Sequence, residues 1–94
     1  MEVRVRVPSA LRELVAGARV VPVDAEAPVT VGTVLDALAR EHPTLERRVR
    51  DELGRLRTHV NLFVDSDNVR NLDGLATPIA PGQELSIIPA ISGG

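Results

Sequence analysis

The chain has 94 residues, a formal net charge of −2 and no cysteine. That length supports one domain. Disulfides and thiolate chemistry are excluded, and a slightly acidic balance counts against a nucleic-acid partner. The core has to be assembled from Val, Leu, Ile and Ala, because there is no Trp or Tyr and a single Phe, Phe63. All 11 basic residues are arginine, so no side-chain amine is present to receive an isopeptide bond. No apolar run approaches the roughly 20 residues that span a bilayer, and residues 1–7 lack the apolar core of a signal peptide. A cytoplasmic protein with no membrane contact is expected.

Residues 2–7, "EVRVRV", alternate strictly between valine and charge. Period two with β-branched residues on one face predicts a half-buried strand that Pro8 ends. In "SALRELVAG" (9–17), Ser9 is a candidate cap for a short helical turn and Gly17 closes it. "RVVPVD" (19–24) predicts a second strand, and Pro22 confines it to an edge or a bulge because proline cannot donate to a ladder.

The clearest helix follows Thr30, its expected N-cap. Val31, Val34, Leu35, Leu38, Ala39 and His42 fall on one stripe, and Pro43 stops the pattern. After Thr44 a second helical pattern puts Leu45, Val49, Leu53 and Leu56 on one face, with Gly54 expected to end it. Five arginines between residues 47 and 57 are interleaved with Glu46, Asp51 and Glu52, which predicts a salt-bridged, solvated face.

"HVNLFVD" (59–65) carries apolar residues on both faces and predicts a central strand. "DSDN" (65–68) is a turn by composition; it opens like a calcium loop but lacks the glycine and the glutamate that such a loop requires. Asp73-Gly74 and Pro81-Gly82 mark further turns, and a last strand runs from about Glu84 to Pro89. His42 and His59 lack the companions a metal site needs, so no metal is expected. No serine has a recognisable base and orienting acid, and no glycine-rich phosphate loop occurs.

The order strand, strand, helix, strand, short connection, strand describes an α+β fold, a β-grasp with one small mixed sheet on one main helix. The helix supplies the crossover that lets the first and last strands run side by side and parallel. The expected division is a body of residues 1–88 and a tail of residues 89–94.

The segment "VNLFVDSDNVRNLDGLATPIAPGQELSIIPAISGG" resembles the corresponding part of the ThiS/MoaD family of ubiquitin-like sulfur carriers. The hairpin, "GLAT", the Pro-Gly turn, the apolar strand ending in proline and the final Gly-Gly occur in the family's order, and the likeness extends over essentially the whole chain. "GLAT" before the ending is nearest to the carriers of cysteine biosynthesis and is also similar to the small subunit of molybdopterin synthase. Ile91-Ser92 before the glycines departs from the commoner tail.

The resemblance implies a protein cosubstrate and not an enzyme. A partner of the ubiquitin-activating-like adenylyltransferase and sulfurtransferase class would use ATP to adenylate the carboxylate of Gly94. Sulfur would then replace AMP, giving a thiocarboxylate. The acceptor would stand on a pyridoxal-phosphate cysteine synthase, with a metallopeptidase releasing the product, or on the large subunit of molybdopterin synthase. A ubiquitin-like modifier that forms amides with lysines of other proteins is a third reading. The carrier itself would hold no cofactor.

Chemistry gives the tail its residue types. A free carboxylate is a poor electrophile, whereas an acyl adenylate has a good leaving group. Ile91, Ser92 and Gly93 would thread the partner's channel, and glycine lets the backbone approach closely. Ordering such a tail costs on the order of 1–2 kcal/mol per residue, so the body has to supply docking energy. Phe63, Leu75, Ile79 and Ile88 are the candidates for that apolar patch, with core packing the stronger expectation for Leu75 and Ile79. Arg4, Arg6 and Arg70 are further candidates for meeting partner acids, with solvation the stronger expectation.

Overall fold

Val3 and Val5 face inward while Glu2, Arg4 and Arg6 face solvent, and that alternation makes the first strand, β1 (Glu2–Arg6). The computed structural model describes residues 1–89, and the remaining elements follow in order. They are a 3-10 turn (Ser9–Val15), β2 (Val20–Asp24), α1 (Val31–Glu41), α2 (Pro43–Val49), β3 (Val60–Val64), β4 (Asp67–Asn68), short 3-10 turns (Val69–Asn71 and Gly74–Ala76) and β5 (Glu84–Pro89). The strands form one sheet in the order β2-β1-β5-β3-β4. β1 and β5 are parallel neighbours, and the other pairs are antiparallel. This is the β-grasp arrangement expected of the sequence. No helix among the described residues is long and apolar enough to cross a membrane.

β2 lies at an edge, as Pro22 requires. The bonds from the Val7 amide to the Arg19 carbonyl and from the Ala25 amide to the Met1 carbonyl fix which residues of β2 pair with β1. Val20, Pro22 and Asp24 therefore turn their main-chain groups away from the sheet. β3 is less central than its composition suggests: β4 flanks it for only two residues, Phe63↔Asn68 and Val64↔Asp67.

The inner sheet face, from Val3, Val5, Val21, Val23, Val60, Leu62, Val64, Leu85 and Ile87, packs with α1 in a core that lacks any aromatic ring. α1 contributes Val31, Val34, Leu35, Ala37 and Leu38, so the buried stripe runs through Ala37 where the sequence pattern favours Ala39. A reciprocal cap starts the helix: Thr30 Oγ1 accepts the Thr33 amide at 3.2 Å and Thr33 Oγ1 accepts the Thr30 amide at 2.9 Å. Ser9 plays no such part. Pro8 occupies the cap position of the first 3-10 turn, without a side-chain bond.

The second helical pattern breaks earlier than its periodicity implies. α2 stops at Val49 and Arg50 is extended. Asp51 Oδ1 then accepts the amides of Leu53 and Arg55 at 2.9 and 3.0 Å, a local turn that outcompetes another helical turn. Leu53 is consequently 74% exposed and outside the core. Arg50 ties the helices together instead. Its Nε donates to Glu46 at 2.7 Å and its Nη2 to Asp36 on α1 at 3.0 Å. Burial works against its charge, but the bonds to Glu46 and Asp36 outweigh that and raise the pKa of the guanidinium.

Candidate functional site

The last strand before the expected tail contributes to the outer face of the sheet, and strand alternation determines what stands on it. β5 presents Glu84, Ser86 and Ile88, β3 presents Asn61 and Phe63, and β1 presents Arg4 and Arg6. Register brings Arg4 beside Glu84 and Arg6 beside Ser86, and places Ser86 opposite Phe63 and Ile88 opposite Asn61. Glu84 receives both arginines, Arg4 Nε at 3.2 Å and Arg6 Nη1 at 3.5 Å. Exposed pairs of this kind are each worth about 0.2–1 kcal/mol and exchange readily for other partners.

Of the four candidate docking residues, the sheet brings two together. Ile88 is 45% exposed, and half-buried Phe63 lies diagonal to it across the β3–β5 ladder. Ile79 and Leu75 pack on the core, the stronger expectation for both. Ile79 is only 4% exposed, because its amide bonds to the Val29 carbonyl at 3.0 Å beside the start of α1 and its side chain enters the core. Leu75 lies in the 3-10 turn Gly74–Ala76 and packs half-buried against the same core. A Cβ on Gly32 of α1 would come within 3.2 Å of the Leu75 carbonyl, so that glycine permits the close approach of turn and helix.

The "DGLAT" stretch thus braces the start of α1. Thr77, 5% exposed, accepts the Val31 amide on its carbonyl at 2.9 Å and the Asp73 amide on its hydroxyl oxygen at 3.1 Å. Arg70, which is exposed, is also held by bonds within the chain. Its Nε donates to Asn61 Oδ1 at 3.2 Å, and its Nη2 donates to the carbonyls of Arg57 and Val60, each at 2.8 Å. It closes the stretch of β3 that β4 does not cover.

At the end of β5 a cleft of about 240 Å³ opens between Arg6, Pro8, Arg12, Ser86, Ile88 and Pro89. Arg12 Nε donates to the Val7 carbonyl at 3.0 Å, which holds the guanidinium in the cleft wall. Nothing in the alternation of "SALRELV" singles out Arg12, because its position depends on how the 3-10 turn folds back on β1. Pro89 is the last residue of β5 and pairs with Val60. Of the expected tail, residues 89–94, Pro89 is still in β5, and residues 90–94, with Ile91, Ser92, Gly93 and Gly94 among them, lie outside the described residues. Among the described residues no three metal-ligating side chains gather in one place.

Three comparisons bear on what this surface serves. The chain matches the model of the ThiS family over residues 5–94. It is 41% identical over 80 residues to the small archaeal modifier protein 1 of Haloferax volcanii, covering 85% of this chain and 87% of that protein. It is 34% identical over 96 residues to the sulfur carrier protein CysO of Mycobacterium tuberculosis, covering all of both. Among solved structures, the crystal structure of the Amycolatopsis orientalis BexX/CysO complex contains a similar chain. The TM-score is 0.83 at 30% identity, over 98% of this chain and 99% of that one. A small mixed sheet gripping α1, an open outer face beside the last strand and a match along nearly the whole sequence lead to one conclusion: this chain belongs to the ThiS family.

Proposed function

We propose that this chain is a sulfur carrier that works from its final glycine. The body, through β5, docks on an adenylating enzyme, and residues 90–94 enter that enzyme's site. The Gly94 carboxylate attacks the α-phosphorus of ATP and releases pyrophosphate. A sulfur nucleophile then displaces AMP from the acyl carbon, leaving a thiocarboxylate. In the reading favoured here, that sulfur bonds to the β-carbon of an activated serine derivative on a pyridoxal-phosphate enzyme, and the activating group leaves with the serine oxygen. Cysteine is then left joined to the carrier and a peptidase releases it.

The observation that carries this reading is the end-to-end match to proteins named sulfur carrier protein CysO. The absence of cysteine is compatible with it, since a thiocarboxylate needs no thiol of the carrier's own. Intact-mass spectrometry tests it. With ATP, a sulfide source and the adenylating enzyme of the same genome, one oxygen of the protein should be replaced by sulfur. Deleting Gly94 should abolish the replacement without unfolding the body. A full-length protein that is never adenylated would reject the proposal.

A second reading has its own support in the 41% identity to a small archaeal modifier protein. The activated Gly94 would then form an amide with a lysine of another protein. The acceptor has to be another protein's side chain, because this one has no lysine. Conjugates of higher mass in cells, lost with Gly94, would favour that reading over cysteine delivery.

A further inference from the structure

Three arginines stand around the end of β5. Arg6 shares the outer face with Ile88, two residues beyond its neighbour Ser86. Arg12 reaches the same cleft from the 3-10 turn behind β1. On the opposite side Asn61, directly across from Ile88, holds Arg70. The exposed side chain of Ile88 is thus flanked by cations on both sides, one residue before Pro89, the last described residue.

The way these arginines are held matters. Arg12 and Arg70 bond to neutral oxygens, main-chain carbonyls and the Asn61 amide, so their charges are positioned and not neutralised. Among the described residues neither makes an ion pair, and the acid that β5 places on this face, Glu84, is shared by Arg4 and Arg6 at 3.2 and 3.5 Å. A chain with net charge −2 therefore concentrates unpaired positive charge at the end of β5. Five residues, 90–94, span at most about 17 Å when extended. An enzyme that takes Gly94 into its site must therefore come within that distance of Pro89, where Ile88 and these arginines are the nearest exposed groups on the outer face.

We propose that this arginine collar docks carboxylates on the adenylating enzyme, arranged around a shallow apolar seat for Ile88, and so sets the direction in which the tail enters. The inference rests on the sulfur-carrier reading. A guanidinium already fixed through one nitrogen presents its remaining donors to a carboxylate with little ordering cost. Complementary charge of this kind raises encounter rates and fixes register. Three cations around one isoleucine suit a protein surface better than a continuous polyanion, which would need a longer basic track.

The test is steady-state ATP–pyrophosphate exchange by the adenylating enzyme of the same genome, with the full-length carrier as the varied substrate. Arg12→Gln keeps a donor for the Val7 carbonyl and removes the charge; Arg6→Gln is combined with it, and thermal unfolding verifies both. The double variant should raise KM for the carrier about tenfold at low salt, with the loss confined to KM. The difference from wild type should shrink in about 0.5 M NaCl, where exposed charges are screened. Carrier lacking Gly94 should fail as substrate yet compete with wild type, and lose that competition with the same two substitutions. Unchanged KM and unchanged competition would overturn the collar while leaving the sulfur-carrier reading intact. So would substitutions whose main effect is on the sedimentation of the carrier alone, which would mean that the face pairs two copies of the chain. If wild type itself supports no exchange, the sulfur-carrier reading fails and the collar fails with it.

Discussion

The Thr77 carbonyl accepts the Val31 amide at 2.9 Å, so the turn after "DGLA" is joined to the first turn of α1. Val31 occupies one of the helix positions whose amide has no partner within the helix, and Thr77 supplies it. The Thr77 hydroxyl holds the turn itself by accepting the Asp73 amide at 3.1 Å. Thr77→Val keeps the shape and leaves that amide unpaired. It should cost about 1–3 kcal/mol in urea unfolding, whereas Thr77→Ser should cost much less. Equal stability of the valine variant would show that the hydroxyl contributes nothing.

The Arg50 bridge is a different case from the arginines on the sheet. The Arg50 and Glu46 side chains are 12% and 13% exposed, and removing one strands the other in a poorly solvated place. Arg50→Ala should cost about 1–3 kcal/mol, less than a fully buried pair would because some water still reaches it. Arg4→Ala, which breaks an exposed pair with Glu84, should stay within about 0.5 kcal/mol. Chemical denaturation of both variants checks the contrast, and equal losses would refute it.

Much of the fold was legible because strand and helix periods differ so clearly. Val3, Val5 and Val7 against Glu2, Arg4 and Arg6 define β1, and the Val31–Leu38 stripe with Thr30 in front of it defines α1. Pro22 located the sheet edge because a missing N–H is a local chemical fact. The misplacement of Leu53 and the weak signal at Ile79 and Leu75 share one cause. Leu53 has the right spacing for α2, but Asp51 captures two amides and ends the helical path before Leu53 is reached. Ile79 and Leu75 follow Asp73-Gly74 in a stretch of no regular period, and only the contact with α1 decides which way they face. The site was half legible for the same reason. Ile88 and Phe63 follow from alternation and register, while Arg12 and the role of Arg70 depend on bonds between segments that are distant in sequence.

Pro22 leaves the outer edge of β2 without a donor at its centre, and exposed edges that can pair invite association. Pro22→Val restores that N–H on a residue suited to strands. The variant should fold with similar stability and self-associate more at high concentration. Sedimentation velocity across a concentration series measures this. Unchanged monomer behaviour would mean that Val20 and Asp24 already protect the edge.

The Asp51 turn should respond to acid. The bond from the Arg55 amide, the bond from the Leu53 amide and the nearby Arg55 guanidinium hold the Asp51 carboxyl below the usual aspartate range. A carboxylate with a lowered folded value contributes its stabilisation above the ordinary unfolded pKa of about 3.9 and loses it as pH falls through the lower folded value. The amide resonances of Leu53 and Arg55 should therefore shift together with a midpoint below about 3.9. A midpoint at or above that value would contradict the geometry of the turn.

Ile79 and Ile88 test the distinction between core and docking face most directly. Both are isoleucines near the start or end of β5, but one is 4% and the other 45% exposed. Ile79→Ala should leave a cavity among α1 and the sheet and cost about 2–4 kcal/mol, with activation by the adenylating enzyme normal at temperatures where the variant is folded. Ile88→Ala should change stability by no more than about 0.5 kcal/mol. Its effect should instead appear as a higher KM for the carrier in exchange assays, because the side chain it removes is the apolar part of the surface beside the tail. If Ile88→Ala were destabilising and kinetically silent, the outer face of β5 would be structural, and the docking surface would have to be sought elsewhere on the molecule.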